Sequence, residues 1–220
     1  QFFPIAQDTS YPIDLNIAKQ VNILLSDAGA ETRRRLRLTW EAVRVGRSWV
    51  GIHTLRANQL AAEALRAGVI PELAGYSEIS PEVRVSDESR LDCRLGGSGR
   101  AAFVEVKSVT LRIGTGALFP DAVTTRGLRH LEELETLART GSRAVLLFLV
   151  MRSDCRWVGP ADAIDPAYAA ALRRVAGEGV EVLAYAVSVS PRGLRLGRRL
   201  PVRLEPLSSP PRRARASRRS

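Results

Sequence analysis

A mixed α/β fold, with a central sheet flanked by helices, is the class that this 220-residue sequence predicts. Three observations point to it. The run AVLLFLV at 144–150 is apolar at every position, which at that length fits a strand buried on both faces. Three segments, at 54–68, 119–141 and 164–179, carry apolar residues at helical spacing. Strand-like runs lie between them, and two of these, within LDCRLGGSGRAAFVEVKSVT at 91–110, are separated by a glycine-rich break. Helices interleaved with strands of this kind cover a sheet on its faces.

Taken in order, the first twenty-odd residues mix proline, polar and apolar positions without period, and no element is assigned to them. Strand-like runs follow at 22–25, 36–43 and 48–52, so residues 1–52 read as a small β unit. The segment TLRANQLAAEALRAG then predicts a helix, with apolar Leu55, Leu60, Ala61, Ala64 and Leu65, Thr54 as N-cap and Gly68 as stop. A loop containing PELAGY leads to a strand around PEVRV and then to the glycine-linked strand pair. FPDAVTTRGLRHLEELETLARTG predicts a second helix, apolar at Leu128, Leu131, Leu134 and Leu137, with Asp121 as its cap and Gly141 as its end. After the buried strand, IDPAYAAALRRVAGEG predicts a third helix with Pro166 in its first turn. VEVLAYAVSV and GLRLGRRLPVRL read as further strands, so that residues 53–207 form the main domain. Residues 208–220, SSPPRRARASRRS, have almost nothing apolar to offset the entropy of ordering and read as a disordered basic tail.

Composition narrows the function classes. With 45% hydrophobic residues the chain can bury a core, and no apolar run approaches the ~20 residues that a membrane-spanning helix needs. The N-terminal segment lacks the pattern of a secretory signal, so a cytoplasmic protein without membrane partners is expected. Cys93 and Cys155 have no metal-ligand spacing and read as reduced core fillers. A net charge of +10 points to a polyanionic partner, because a basic surface gains affinity by releasing counterions condensed on phosphates. DNA is the expected partner, bound largely without regard to sequence; oligomeric state is open, a homodimer included. Arg33, Arg34, Arg35 and Arg37 form a basic run that reads equally as a solvated turn or as a phosphate contact.

The chemistry concentrates in the strand pair. Alternation puts Ala102, Val104 and Val106 on one face, toward the core, and Phe103, Glu105 and Lys107 on the other. Asp92, on the preceding strand, can lie across the turn from them. Two neighbouring carboxylates repel unless a cation lies between them, and hard oxygen ligands with room for water suit Mg2+, with Mn2+ as substitute. The compact ammonium of Lys107, one of only two lysines in the chain, can orient a water or steady charge growing on a phosphate. The plain alternative is an ordinary ion pair along an amphipathic strand.

The segments SRLD, VEVKSVTL, LFPDAVTTRGLRHLEEL, AIDPAYAAAL and GVEVLAY closely resemble the sugar fermentation stimulation protein A family, over residues 24–204 and most densely over 54–185. The resemblance implies a restriction-endonuclease-like domain of the PD-(D/E)XK type, preceded by an OB-like β domain. It also implies DNA binding and a link to the regulation of sugar (maltose) genes. Carried over position by position, it makes Asp92 the motif's aspartate, Glu105 its acidic partner and Lys107 its lysine, with Glu63 as a helix acid joining Asp92 and Glu105 at the metal. One departure is visible: the family's Asn-Thr-Gly turn is missing, so the OB-like unit here is truncated or atypical.

The remaining candidates have two readings each. Glu63 sits beside Gln59 and Arg66 on the polar side of its helix and without the resemblance would be a solvated residue. Arg126 and His130, four apart on one helix face, could hold a phosphate near the metal; His130 could instead pair with Glu132 or Glu133. His53 is ambiguous. Tyr76 and the three tryptophans read as packing, with base stacking as the alternative for Trp40 and Trp49. Together these readings give a DNA-binding protein with a nuclease-like Mg2+ site that hydrolyses phosphodiesters, or a non-cleaving DNA-binding regulator. A sugar- or small-ligand-binding protein is the third reading.

Overall fold

The computed structural model describes residues 22–27, 38–86, 89–97 and 99–206. The arginine run at 33–35, with Arg37, and the basic tail at 208–220 lie outside the described residues, as do the unassigned residues 1–21.

The strand around residue 147 is the centre of the molecule. Here β9 (Arg143–Val150) lies between β6 (Ala102–Val109) and β11 (Glu181–Ser190) and pairs with both in parallel. Its side chains alternate between two cores. Val145, Leu147 and Leu149 enter one, while Ala144, Leu146, Phe148 and Val150 enter the other, all fully buried. A wholly apolar run is therefore what this position needs, since neither face meets water.

Outward from this parallel centre the sheet turns antiparallel, through β12 (Gly193–Arg199) on one side and β5 (Arg90–Gly96) and β4 (Glu78–Arg84) on the other. The six strands run in the order β12-β11-β9-β6-β5-β4. One core joins the sheet to α1 (Thr54–Arg66) and the other joins it to α2 (Thr125–Arg139) and α3 (Pro166–Gly177). The mixed, helix-flanked sheet is as expected. The first strands, β1 (Ile23–Asp27), β2 (Leu38–Val45) and β3 (Ser48–Gly51), form an antiparallel OB-like sheet, tied to the main body where Gly51 N–H donates to Met151 O at 2.9 Å.

Several local expectations are corrected. Thr54 is the first helical residue of α1 and His53 its cap, with no side-chain capping bond. Asp121 does not cap α2; Thr124 does, its Oγ1 accepting from Gly127 N–H at 2.9 Å. The carboxylate of Asp165 links two helix starts, accepting from Tyr168 N–H at the head of α3 and from Thr124 N–H at the head of α2. Leu55 and Trp40 are exposed rather than packed, at 64% and 54%. A second small sheet, β7 (Arg112–Ile113), β8 (Gly116–Phe119) and β10 (Trp157–Pro160), arises from stretches that carry no periodic signal. Both cysteines are free and buried, as expected. Among the described residues no helix is long and apolar enough to cross a membrane.

Candidate metal centre

The alternation along β6 holds: Ala102, Val104 and Val106 face the α1 core, while Phe103 packs on the α2–α3 side. Glu105 and Lys107 therefore do not face open solvent, because α2 covers them. Glu105 is only 2% exposed. A buried carboxylate needs compensating donors, and it has them on one oxygen. Its Oε1 accepts from Lys107 Nζ at 2.6 Å and is in close contact with His130 Nδ1. Arg126 Nε donates to His130 Nε2 at 3.4 Å, which makes that nitrogen the acceptor and leaves the ring proton on Nδ1, facing Glu105. Lys107 Nζ and His130 Nδ1, 3.1 Å apart, are then two donors sharing one carboxylate oxygen. The other oxygen, Oε2, is buried and has no hydrogen-bond partner.

Asp92 reaches the same place by a break in its own strand. The β5–β6 ladder runs from Leu95↔Ala102 to Cys93↔Val104, so one more step would set Asp92 beside Glu105. At that step the Asp92 carboxylate takes over, Oδ2 accepting from Val106 N–H at 2.8 Å. On the opposite edge, the β4–β5 ladder skips from Pro81↔Cys93 to Val83↔Leu91. The residue skipped there, Glu82, has φ of 50°, a left-handed conformation that costs an ordinary side chain about 1–2 kcal/mol. Leu91 packs in one core and Cys93 in the other, so the strand is twisted at Asp92. Irregular backbone of this kind re-aims a side chain.

The remaining oxygen of Asp92, Oδ1, accepts from Asn58 Nδ2 on α1 at 2.6 Å. Asn58 was not singled out by sequence reasoning, and nothing in a helix read alone marks it. Glu63, five residues further along α1, is exposed and lines the same groove as Asn58, Glu82 and Asp92, about 300 Å³ in volume. The structure thus brings together Asp92, Glu105, Lys107 and His130, with Arg126 behind the imidazole. Among the described residues no three His, Cys, Asp or Glu side chains gather into a group that could hold a metal.

The electrostatics follow from this packing. Burial, then repulsion from Glu105, pushes the Asp92 carboxyl up from 3.8 to about 6, against the Val106 N–H and the nearby cations. Burial acts in the same direction on Glu105, but the His130 and Lys107 contacts outweigh it and hold that carboxyl below its ordinary value. One carboxylate is thus firmly ionised with an unpartnered oxygen, and its neighbour is reluctant to ionise. That donor set fits a small hard cation, which would satisfy Oε2 and relieve the repulsion; Mg2+ needs only one or two protein carboxylates, water and phosphate completing its shell.

A pH dependence follows. As Asp92 titrates higher folded than unfolded, the unfolded chain releases this proton first as pH rises from about 4 to about 6. Metal-free stability falls across that window through this group, and a cation bound at Asp92 would reverse the loss. The rise in melting temperature produced by Mg2+ or Ca2+ is therefore expected to be larger at pH 7.5 than at pH 5, measured by thermal unfolding with and without chelator. An equal shift at both pH values would exclude Asp92 as a ligand.

Comparison with known proteins gives a consistent result. The family model described as the sugar fermentation stimulation protein RE domain matches residues 55–193. A sugar fermentation stimulation protein homolog of Geotalea uraniireducens is 47% identical over 171 residues, covering 78% of this chain and 74% of the relative. The homolog of Pseudomonas paraeruginosa is 53% identical over 178 residues, covering 79% and 76%. The solved structure of Pyrococcus furiosus SfsA in complex with Ca2+ superposes with a TM-score of 0.74 at 26% identity, covering 83% of this chain and 90% of that one.

Proposed function

This chain belongs to the sugar fermentation stimulation protein family, and from that premise and the geometry of Asp92 and Glu105 we propose that it binds DNA and hydrolyses phosphodiester bonds with Mg2+. The observation that carries the reading is the half-satisfied Glu105: Lys107 and His130 hold one oxygen, and the other is buried without a partner beside an aspartate of raised pKa. Mg2+ bound there would supply Lewis-acid activation of a phosphate oxygen and of a water. The chain's own residues do the rest. Asn58 and Val106 N–H hold the Asp92 carboxylate in one orientation. His130 and Arg126 pin Glu105 from the α2 side. Lys107, only partly exposed, offers an ammonium beside the reacting phosphate. Glu63, exposed on α1, lines the same groove as Asp92 and would add negative charge on that side. The relative solved with Ca2+ supports a hard divalent cation in this fold family.

DNA affinity rests on arginine, 31 of the 33 basic residues, with Arg33, Arg34 and Arg35 and the 208–220 tail as backbone contacts. Binding to duplex DNA is expected to weaken steeply with salt and to depend little on sequence. Removing 208–220, which carries five arginines, should flatten the log–log salt slope by up to about 4.5. An unchanged slope would remove the tail from the interface.

A second reading, a non-cleaving DNA-binding regulator of sugar genes, is favoured by one feature: Lys107 is already ion-paired to Glu105 at 2.6 Å. Incubation with single strands, duplexes, flaps and RNA in Mg2+ or Mn2+ separates the two. Cleavage that stops in chelator supports the enzyme. No product from any substrate in either metal would leave the regulator.

A further inference from the structure

Tyr168, on α3, is fully buried in the core that α2 and α3 share with the sheet, on the side of the metal centre that α2 covers. Three contacts fix it there. Its N–H donates to Asp165 Oδ1 at 2.9 Å, at the head of α3. Its ring meets Phe119 edge-on, with centroids 5.2 Å apart, and Phe119 leans in turn on Phe148, the cross-strand partner of Lys107. Its Cε2 edge lies against Gly127 of α2, where a side-chain carbon would stand only 3.2 Å away. One turn further along α2, on the same helix face, His130 makes the contact with Glu105.

Tyr168 Oη and Glu105 Oε2 are both buried without a hydrogen-bond partner. Left apart, each is costly, since a buried hydroxyl or carboxylate oxygen has given up its contact with water. Together they are a donor and an acceptor. Burial first, then the charge of Glu105, then that of Asp165, push the Tyr168 phenol well above its usual range, so it keeps its proton and can donate. Glu105 outweighs Asp165 here although Asp165 bonds to the backbone of Tyr168, which places the hydroxyl end of the ring toward Glu105.

We infer that Tyr168 is a positioning residue of the metal centre, its hydroxyl linked to Glu105 Oε2 through one buried water. These two atoms give such a water the two polar partners that it needs at minimum. The carboxylate oxygen can serve both sides, one lone pair taking this hydrogen bond and the other the cation. A neutral donor suits the place. Lys107 already brings a positive charge to Oε1, and a second ammonium behind Oε2 would compete with the metal, whereas a phenol fixes the direction of the oxygen and leaves its charge available. The inference rests on the metal-centre reading above and extends it from the ligands to the group that holds one of them.

The test measures Mn2+ binding to the full-length chain by calorimetry, without nucleic acid, for the unaltered protein and for Tyr168→Phe, with thermal unfolding of both in chelator. Tyr168→Phe is expected to weaken Mn2+ binding about tenfold or more, the usual effect of removing the partner of a metal ligand. Its melting temperature in chelator should also fall, because Glu105 loses a hydrogen bond. A hydroxyl with no partner gives the opposite result: its removal relieves a buried orphan, so the melting temperature rises and Mn2+ affinity stays the same, which would overturn the proposal. A lower melting temperature with unchanged Mn2+ affinity would make Tyr168 a packing residue alone and would overturn it too. Crystals of the unaltered protein in Mn2+ decide the matter if Tyr168→Phe does not fold. A water within hydrogen-bonding distance of both Tyr168 Oη and Glu105 Oε2 is expected there, and no such water would contradict the link. If the unaltered protein binds no Mn2+, the metal-centre reading itself fails and the role of Tyr168 falls with it; if it binds Mn2+ and Tyr168→Phe binds as tightly, only the assignment of Tyr168 fails.

Discussion

Lys107→Ala is expected to slow cleavage by about a hundredfold or more while leaving DNA affinity nearly unchanged. The two quantities depend on different things. Affinity is governed by the field of 33 basic residues, of which this substitution removes one. Cleavage depends on charge that appears on the phosphate only in the transition state, and a group that stabilises only that state changes rate without changing ground-state binding. Lys107 is two residues along the strand from Glu105, on the same face, and partly exposed, so it can serve the reaction while remaining paired. Turnover and binding measured on the same preparation check this. A variant that cuts as fast as the unaltered protein would make Glu105 and Lys107 an ordinary pair along a strand.

Glu105→Ala acts on the fold as well as on the site. The substitution leaves Lys107 Nζ and His130 under α2 without their shared acceptor, and breaking a buried pair from one side typically costs about 3–5 kcal/mol. Part of this is returned, because Asp92 loses the neighbour that raises its pKa. A loss of about 2–4 kcal/mol at pH 7 is therefore expected in urea unfolding. The Glu105 carboxyl is held below its ordinary value in the folded protein, so its contribution is present above the unfolded carboxylate range and fades as pH falls through the folded one. The gap between variant and unaltered protein should accordingly narrow in acid. Adding Lys107→Ala to Glu105→Ala should recover some of the loss, since the two changes share one interaction. A loss below about 0.5 kcal/mol would place Glu105 among ordinary surface residues.

The parts of this molecule that could be read in the sequence are those whose signal is local. β9 announces itself because burial on both faces demands apolar residues throughout. The helices show their 3.6-residue period, and the glycine-rich break marks the β5–β6 turn, where Gly97 and Gly99 take positive φ. The cap of α2 was misplaced because Asp121 and Thr124 both have capping side chains, and only the path of the chain past Asp165 selects Thr124. The strands β7, β8 and β10 span two to four residues each, too short to show a period.

The site divides in the same way. Glu105 and Lys107 follow from alternation within one strand. Asp92 is also visible, but not the twist that aims it, because that depends on a left-handed Glu82, a conformation that glycine or asparagine would announce and glutamate does not. Asn58 reaches Asp92 across 34 positions of chain, and His130 reaches Glu105 across 25. Contacts at such separations are made by tertiary packing, so the role of His130 as the second donor to Glu105 emerges only once α2 lies over β6.

Anomalous diffraction from crystals soaked in Mn2+ tests the central claim most directly. A single strong peak is expected between the Asp92 carboxylate and Glu105 Oε2, about 2.1–2.2 Å from each coordinating oxygen, and it should vanish in Glu105→Ala. No peak there, or a peak that persists at full strength without Glu105, would contradict the assignment of Asp92 and Glu105 as a metal centre.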